Sequence, residues 1–187
     1  MSRPEILFPL FADLPTLPGV GPKTAEHFDG LGVQKPRDLL FTLPTGVVDR
    51  RMRETVKGMD FPTVATVEVS IGAHTPPHQK GRPYRITVHD SEISFQVVFF
   101  HARADYLKRA LPTGQRRIIS GKMEIFDNVP QMVHPDHILD PAAAQSIPEF
   151  EPIYPLTHGV TQKVMTKAAN GALTLAPDLP EWIDPDL

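Results

Sequence analysis

Between Thr63 and Pro141 apolar and polar residues alternate at a period of two, the spacing of strands that bury one face. In TVATVEVSI the residues Ala65, Val67, Val69 and Ile71 oppose Val64, Thr66, Glu68 and Ser70, and the first set is the expected inward face. RPYRITVHD and EISFQVVFF flank Asp90-Ser91 and predict a hairpin. HARADYLKRAL, with Ala104, Leu107 and Leu111 at helical spacing, predicts a short helix ending before Pro112. QRRIISGKMEIF and VPQMVHPDHIL then predict two more strands, parted by Asp127-Asn128.

The flanks read differently. Met1 to Pro62 predicts short helices between prolines, at Pro4–Phe11, Pro22–Leu31 and Pro36–Phe41. Pro22 suits a first helical turn, Ala25, Phe28 and Leu31 share a face, and Gly30 and Gly32 end the helix. Toward the C-terminus, Thr161 to Leu173 predicts a helix with Thr161 as cap and Val164, Ala168 and Ala172 on one side. Pro177, Pro180 and Pro185 then deny regular structure to the end. The expected organisation is a helical region with a glycine hairpin over 1–62, a barrel over 63–141 and a C-terminal extension over 142–187. Three strands, a helix and two strands is the order of the OB-fold, and other small barrels stay open. The expected class is therefore α+β, mainly β: a five-stranded OB-fold barrel with flanking helices.

Composition sharpens this picture in three ways. Proline stands at 21 of 187 positions, about twice its usual share, so long helices are few. No cysteine is present, which excludes disulfides, thiolate nucleophiles and thiolate metal sites and fits a reducing compartment. No apolar run approaches a membrane span and no export signal is recognisable, so a soluble, cytoplasmic protein is expected; a monomer is the expected state, though no sequence feature fixes self-association. The net charge of -3 argues at first against nucleic acid. The acidic excess, however, lies wholly after residue 140. Before it, Arg50, Arg51, Arg53, Lys57, Lys80, Arg82, Arg85, Lys108, Arg109, Arg116 and Arg117 come in clusters. A local basic patch can attract phosphate on an acidic chain, because distant exposed charges are screened. A solvated mixed surface is the alternative.

Candidate chemistry is sparse. LPGVGPKTAEHF offers Gly19, Gly21 and Lys23 at a helix start, in the manner of a glycine hairpin that grips DNA phosphate. A plain helix-turn-helix corner accounts for the same glycines. The segment is not a P-loop, since Leu17 and Pro22 occupy the glycine places ahead of Lys23-Thr24. His134 and His137 are the closest histidine pair, without a third ligand at matching spacing, and no serine sits in G-x-S-x-G. No metal and no catalytic residue are expected. The informative feature is SFQVVFF. Alternation puts Phe95, Val97 and Phe99 inward, with Ser94, Gln96, Val98 and Phe100 outward. Tyr106 follows, with Arg103, Lys108 and Arg109 close by. An exposed aromatic among basic groups is how single strands are held, by base stacking with phosphate attraction. Packing of Phe100 under the short helix or against the N-terminal region is the competing possibility.

LPGVGPKTAEHFDGLGVQKPRDLLFTLP, Asp49-Arg50, VVFFHARADYL, GKMEIF, MVHPDHI and PIYPLTHGVTQK follow one another in the order of the N-terminal part of RecG branched-DNA helicases. The chain resembles that family from about Leu14 to Leu173. The resemblance implies a wedge domain at the branch point of a stalled fork or Holliday junction, in DNA repair and recombination. It implies an ATP-driven motor, with ATP and Mg, in two further helicase domains. This chain is then expected to be a piece of a longer protein and to hold no cofactor itself. The resemblance further implies that Phe100 stacks at the junction, with Tyr106 as a second ring. Arg82, Arg85, Arg103, Lys108, Arg109, Arg116 and Arg117 are the expected phosphate contacts beside them, with Gly19, Gly21 and Lys23. Three features depart from the family pattern: Thr45 to Val48 replace basic and tyrosine residues, the Phe-to-Tyr spacing varies among relatives, and Asp90-Ser91-Glu92 lacks the turn glycine. The expected partners are branched or single-stranded DNA, with single-stranded-DNA-binding protein as a further candidate. Two other functions stay open: a stand-alone OB module for single-stranded nucleic acid or a protein tail, and a metal-assisted hydrolase resting on His134 and His137.

Overall fold

The computed structural model describes residues 4–79 and 81–179. The chain divides into two compact units: the described residues up to Val47 together with those from Pro152 onward, and Val48–Glu151. Helices α1 (Pro22–Phe28), α2 (Pro36–Leu40) and α4 (Gln162–Thr174) belong to the first unit, and α3 (Ala104–Ala110) to the second. Strands run in chain order β1 (Gly46–Asp49), β2 (Met52–Arg53), β3 (Thr63–Thr75), β4 (Tyr84–His89), β5 (Ser94–Phe99), β6 (Arg116–Phe126), β7 (Val129–Val133), β8 (His137–Leu139) and β9 (Phe150–Ile153). β1 and β9 pair as a two-stranded ribbon where the chain crosses from one unit to the other.

The first unit is built on proline and glycine punctuation. Pro22 and Pro36 both stand in first helical turns, where their missing N–H costs nothing. After α1 a 3₁₀ turn runs over Asp29–Leu31, and Gly32 ends it at φ 71°, the left-handed conformation glycine adopts freely. Glu5–Phe11 forms a 3₁₀-helix rather than an α-helix, with Pro9 inside it. α4 starts where Thr161 accepts a hydrogen bond from the Val164 N–H. Its buried face, Met165, Ala168, Ala169 and Ala172, packs with Phe28, Val33, Leu39 and Tyr154 into one core. The small residues let α4 approach closely: a Cβ on Gly171 would stand 2.8 Å from Pro18.

The second unit is a closed ring of five strands, β3-β4-β5-β7-β6 and back to β3. Every pairing is antiparallel except β5 with β7. Within the ring β3 serves two neighbours, β6 along Thr63–Ser70 and β4 along Ser70–Thr75, with a register shift between Ile71 and His74. Such bulges bend a strand enough to close a ring. Gly72 lies in the bend, where a Cβ would meet the Thr87 carbonyl at 2.8 Å. Ala65, Val67, Val69 and Ile71 all face the interior, as alternation expects, with Ile86, Val88, Phe95, Val97, Ile119, Met123 and Met132. Leu107 and Leu111 bury fully and seat α3 on this core, while Ala104 stays exposed. β2 joins β3 in parallel and β8 joins β6, widening the sheet beyond the ring.

Three strand expectations need correction, the first being Thr66, placed on the outer side of its strand but buried. VPQMVHPDHIL is not one strand, because the chain breaks between β7 and β8 at His134, which has φ 47°. Val98 is not outward-exposed: it is buried between its cross-strand neighbours Arg85 and Val133. Pro180 and Pro185 lie outside the described residues. Among the described residues no helix is long and apolar enough to cross a membrane.

The β4–β5 turn lacks glycine and is organised by a carboxylate instead. Asp90 accepts from the N–H groups of Glu92 and Ile93, and also from Val56 N–H and the Thr55 hydroxyl. Burial alone would raise its carboxyl, but the hydrogen bonds from Ile93, Val56, Glu92 and Thr55 hold it below 3.8. A depressed folded value contributes stability above the ordinary carboxylate range and loses it as pH falls through the folded value. Asp90→Ala should cost about 1.5–3 kcal/mol at pH 7, the range for hydrogen bonds to a charged group. Urea unfolding reads this, and the difference from wild type should shrink in acid as the carboxyl is protonated. A variant as stable as wild type at pH 7 would exclude the role.

Candidate nucleic-acid interface

β5 delivers its last residues to one end of the ring. Phe95, Val97 and Phe99 point into the core, with Phe99 only 6% exposed. Phe100, one step beyond the strand, is 43% exposed. The period-two argument places both rings correctly. Phe100 is not packed under α3 but tilted against His134, centroids 5.9 Å apart and planes at 32°. A cleft of about 150 Å³ joins Phe100 and His101 to Gln79 and Arg82 of the β3–β4 loop. Arg82 also lines a neighbouring cleft of about 260 Å³ with Thr75, His78 and Arg85. Lys80 lies outside the described residues. On α3, Tyr106 is 54% exposed, and Arg103, Lys108 and Arg109 are exposed around it. Among the described residues, Arg82, Arg85, Arg103, Lys108 and Arg109 make no ion pair. Their charge is therefore available to an external anion.

The other expected contacts sit elsewhere. Arg116 pairs with Glu68 at 3.0 Å in a mixed-charge cleft with Arg53, Glu54 and Asp90. Arg117 is largely buried, donating to the Ala110 and Arg116 carbonyls and Gln115 Oε1, with Asp140 at 3.6 Å. Arg51 and Arg53 both face Asp49, and Arg51's hydrogen bonds hold that carboxyl far below the usual carboxylate range. Arg50, counted in the same cluster, is buried and tied to three side chains. Gly19, Gly21 and Lys23 belong to the first unit. There Leu17 and Val20 are buried, Gly19 takes φ 81°, and a Cβ on it would stand 3.0 Å from Lys167 Cδ. Gly21 precedes α1 with open space about it, and Lys23 is exposed.

A five-stranded ring with the helix between its third and fourth strands is an OB-type domain, a class whose open face and loops hold oligonucleotides and oligosaccharides. A family model of the RecG wedge domain matches residues 15–175, and the chain belongs to that family. It is 26% identical over 178 residues to the ATP-dependent DNA helicase RecG of Acidithiobacillus ferridurans, covering 94% of this chain and 26% of that one. It is 27% identical over 172 residues to the RecG of Streptococcus pneumoniae serotype 4, covering 91% and 24%. The chain thus spans about a quarter of the length of these curated relatives. A solved structure of RecG bound to a three-way DNA junction superimposes with a TM-score of 0.69 at 22% identity, over 92% of this chain and 24% of that one.

Proposed function

We propose that this chain is the branch-point-binding module of a RecG-type ATP-dependent helicase, acting on stalled forks and Holliday junctions in repair and recombination. The observation that carries this reading is the exposed Phe100 ring, held at the end of β5 in one cleft with Arg82, which makes no ion pair among the described residues. A ring so placed stacks on the base exposed where strands part, and the arginines draw in the flanking phosphates. Neither interaction reads base identity, so the module recognises DNA shape. Tyr106 offers a second surface on α3. The motor, with its ATP and Mg, belongs to the remainder of the helicase.

Stacking of one base is worth roughly 1–3 kcal/mol, so Phe100→Ala should weaken binding to a three-way fork by about 5- to 150-fold. The thermal melt should stay close to wild type. Titrations belong at one fixed salt concentration, because phosphate attraction falls steeply as salt rises. Unchanged fork affinity would remove Phe100 from the interface. Equal affinity of the wild type for fork and unbranched single strand would favour a stand-alone single-strand binder instead.

A further inference from the structure

Phe100 has left the β-ladder, yet its backbone is not loose. Its N–H donates to Nε2 of His134 at 3.0 Å. An imidazole accepting there carries its proton on Nδ1. The same ring meets Phe99 edge-on, centroids 5.7 Å apart and planes at 88°, while leaning over Phe100 at 32°. One histidine therefore touches both the inward anchor and the outward ring. Resting on the reading of Phe100 as the stacking group, we infer that His134 is the positioning residue that presets its orientation.

The turn carrying His134 is itself fixed on several sides. Its N–H donates to the Val98 carbonyl at 2.9 Å. Pro135 lies so close to β6 that a Cβ on Gly121 would stand 3.1 Å from its Cα. Asp136 accepts from Arg50 Nη2 at 2.9 Å, and Arg50 Nη1 reaches the Ser120 hydroxyl at 2.9 Å. His134 holds φ 47°, a conformation that non-glycine residues keep only where the surroundings impose it. Holding a ring in its bound orientation removes the ordering cost at the moment of binding, and small displacements of the supporting group are felt at the site. In this reading the turn acts on the junction through the orientation of Phe100.

The test uses this chain and a fork carrying 2-aminopurine at the branch point, whose fluorescence is quenched when a ring stacks on it. His134→Ala should weaken fork binding at least 5-fold and lose the quenching, while affinity for unbranched duplex stays at the wild-type value. His134→Gln, whose amide oxygen can accept the Phe100 N–H, should recover most of both signals. Phe100→Ala runs alongside. If Phe100→Ala loses quenching and His134→Ala keeps wild-type affinity and quenching, the positioning role is wrong and the stacking role stands. If Phe100→Ala itself is silent, the stacking reading fails first. Should His134→Ala unfold, His134→Gln decides: near wild-type quenching supports the inference, and loss equal to that of Phe100→Ala overturns it.

Discussion

Phe99→Ala should lose about 3–5 kcal/mol of folding stability, the range for truncating a buried phenylalanine. Phe99 sits in the ring's core with Phe95, Val97 and Tyr84, and Tyr84 is its direct register partner on β4. Removing the ring opens a cavity that β-sheet neighbours, fixed by their ladders, cannot collapse to fill. For a chain of this size the loss corresponds to a fall in melting temperature of about 6–20 °C. Fork binding by the folded fraction should fall less than for Phe100→Ala, because the exposed ring and the His134 bond remain. The contrast between adjacent residues gives the experiment its force. If Phe99→Ala melts like wild type and loses fork binding while Phe100→Ala melts early, the strand is off register by one and the facing is inverted.

The ring was legible because long alternating segments declare their faces. Ala65 through Ile71 and Phe95 through Phe99 bury the residues that period two selects. β1, β2 and β9 were not legible: with two to four residues each, no period can be read, and they exist through their partners. Val98 escaped because alternation assumes that the outer side of a strand meets water, whereas neighbours cover this position. His134 attracted notice only for its spacing to His137. Its bond to Phe100 spans 34 residues and depends on β5 and β7 lying side by side, which no local pattern states. Arg50 misled for the same reason. It stands among exposed arginines in the sequence, but its partners lie 70, 86 and 101 residues away. Charge clustering along a chain cannot tell an anion-binding surface from a buried hub.

Arg50→Met tests that hub and should cost about 3 kcal/mol, the low end of the range for removing one partner of a buried ion pair. The Arg50 side chain is 7% exposed and joins Glu151, Ser120 and Asp136, while Ser120 is also 2.7 Å from the Thr66 hydroxyl. Methionine fills much of the volume, so the loss reports the guanidinium and not a cavity. Glu151 and Asp136 would be left without their shared cation. Their side chains keep 23% and 53% exposure, and this partial solvation holds the cost at the low end. Arg50→Lys should recover only part of it, since an ammonium cannot reach three acceptors in the directions of the guanidinium fork. Asp136→Asn combined with Arg50→Met should cost less than the two changes separately, the signature of one shared network. The effect should persist in high salt, where exposed pairs such as Lys57–Glu92 are screened. Urea unfolding of the wild type, the three single variants and the double variant measures every term. An Arg50→Met chain within 0.5 kcal/mol of wild type would mean that Arg50 is a tolerated buried charge, and that the 134–136 turn holds Phe100 without it.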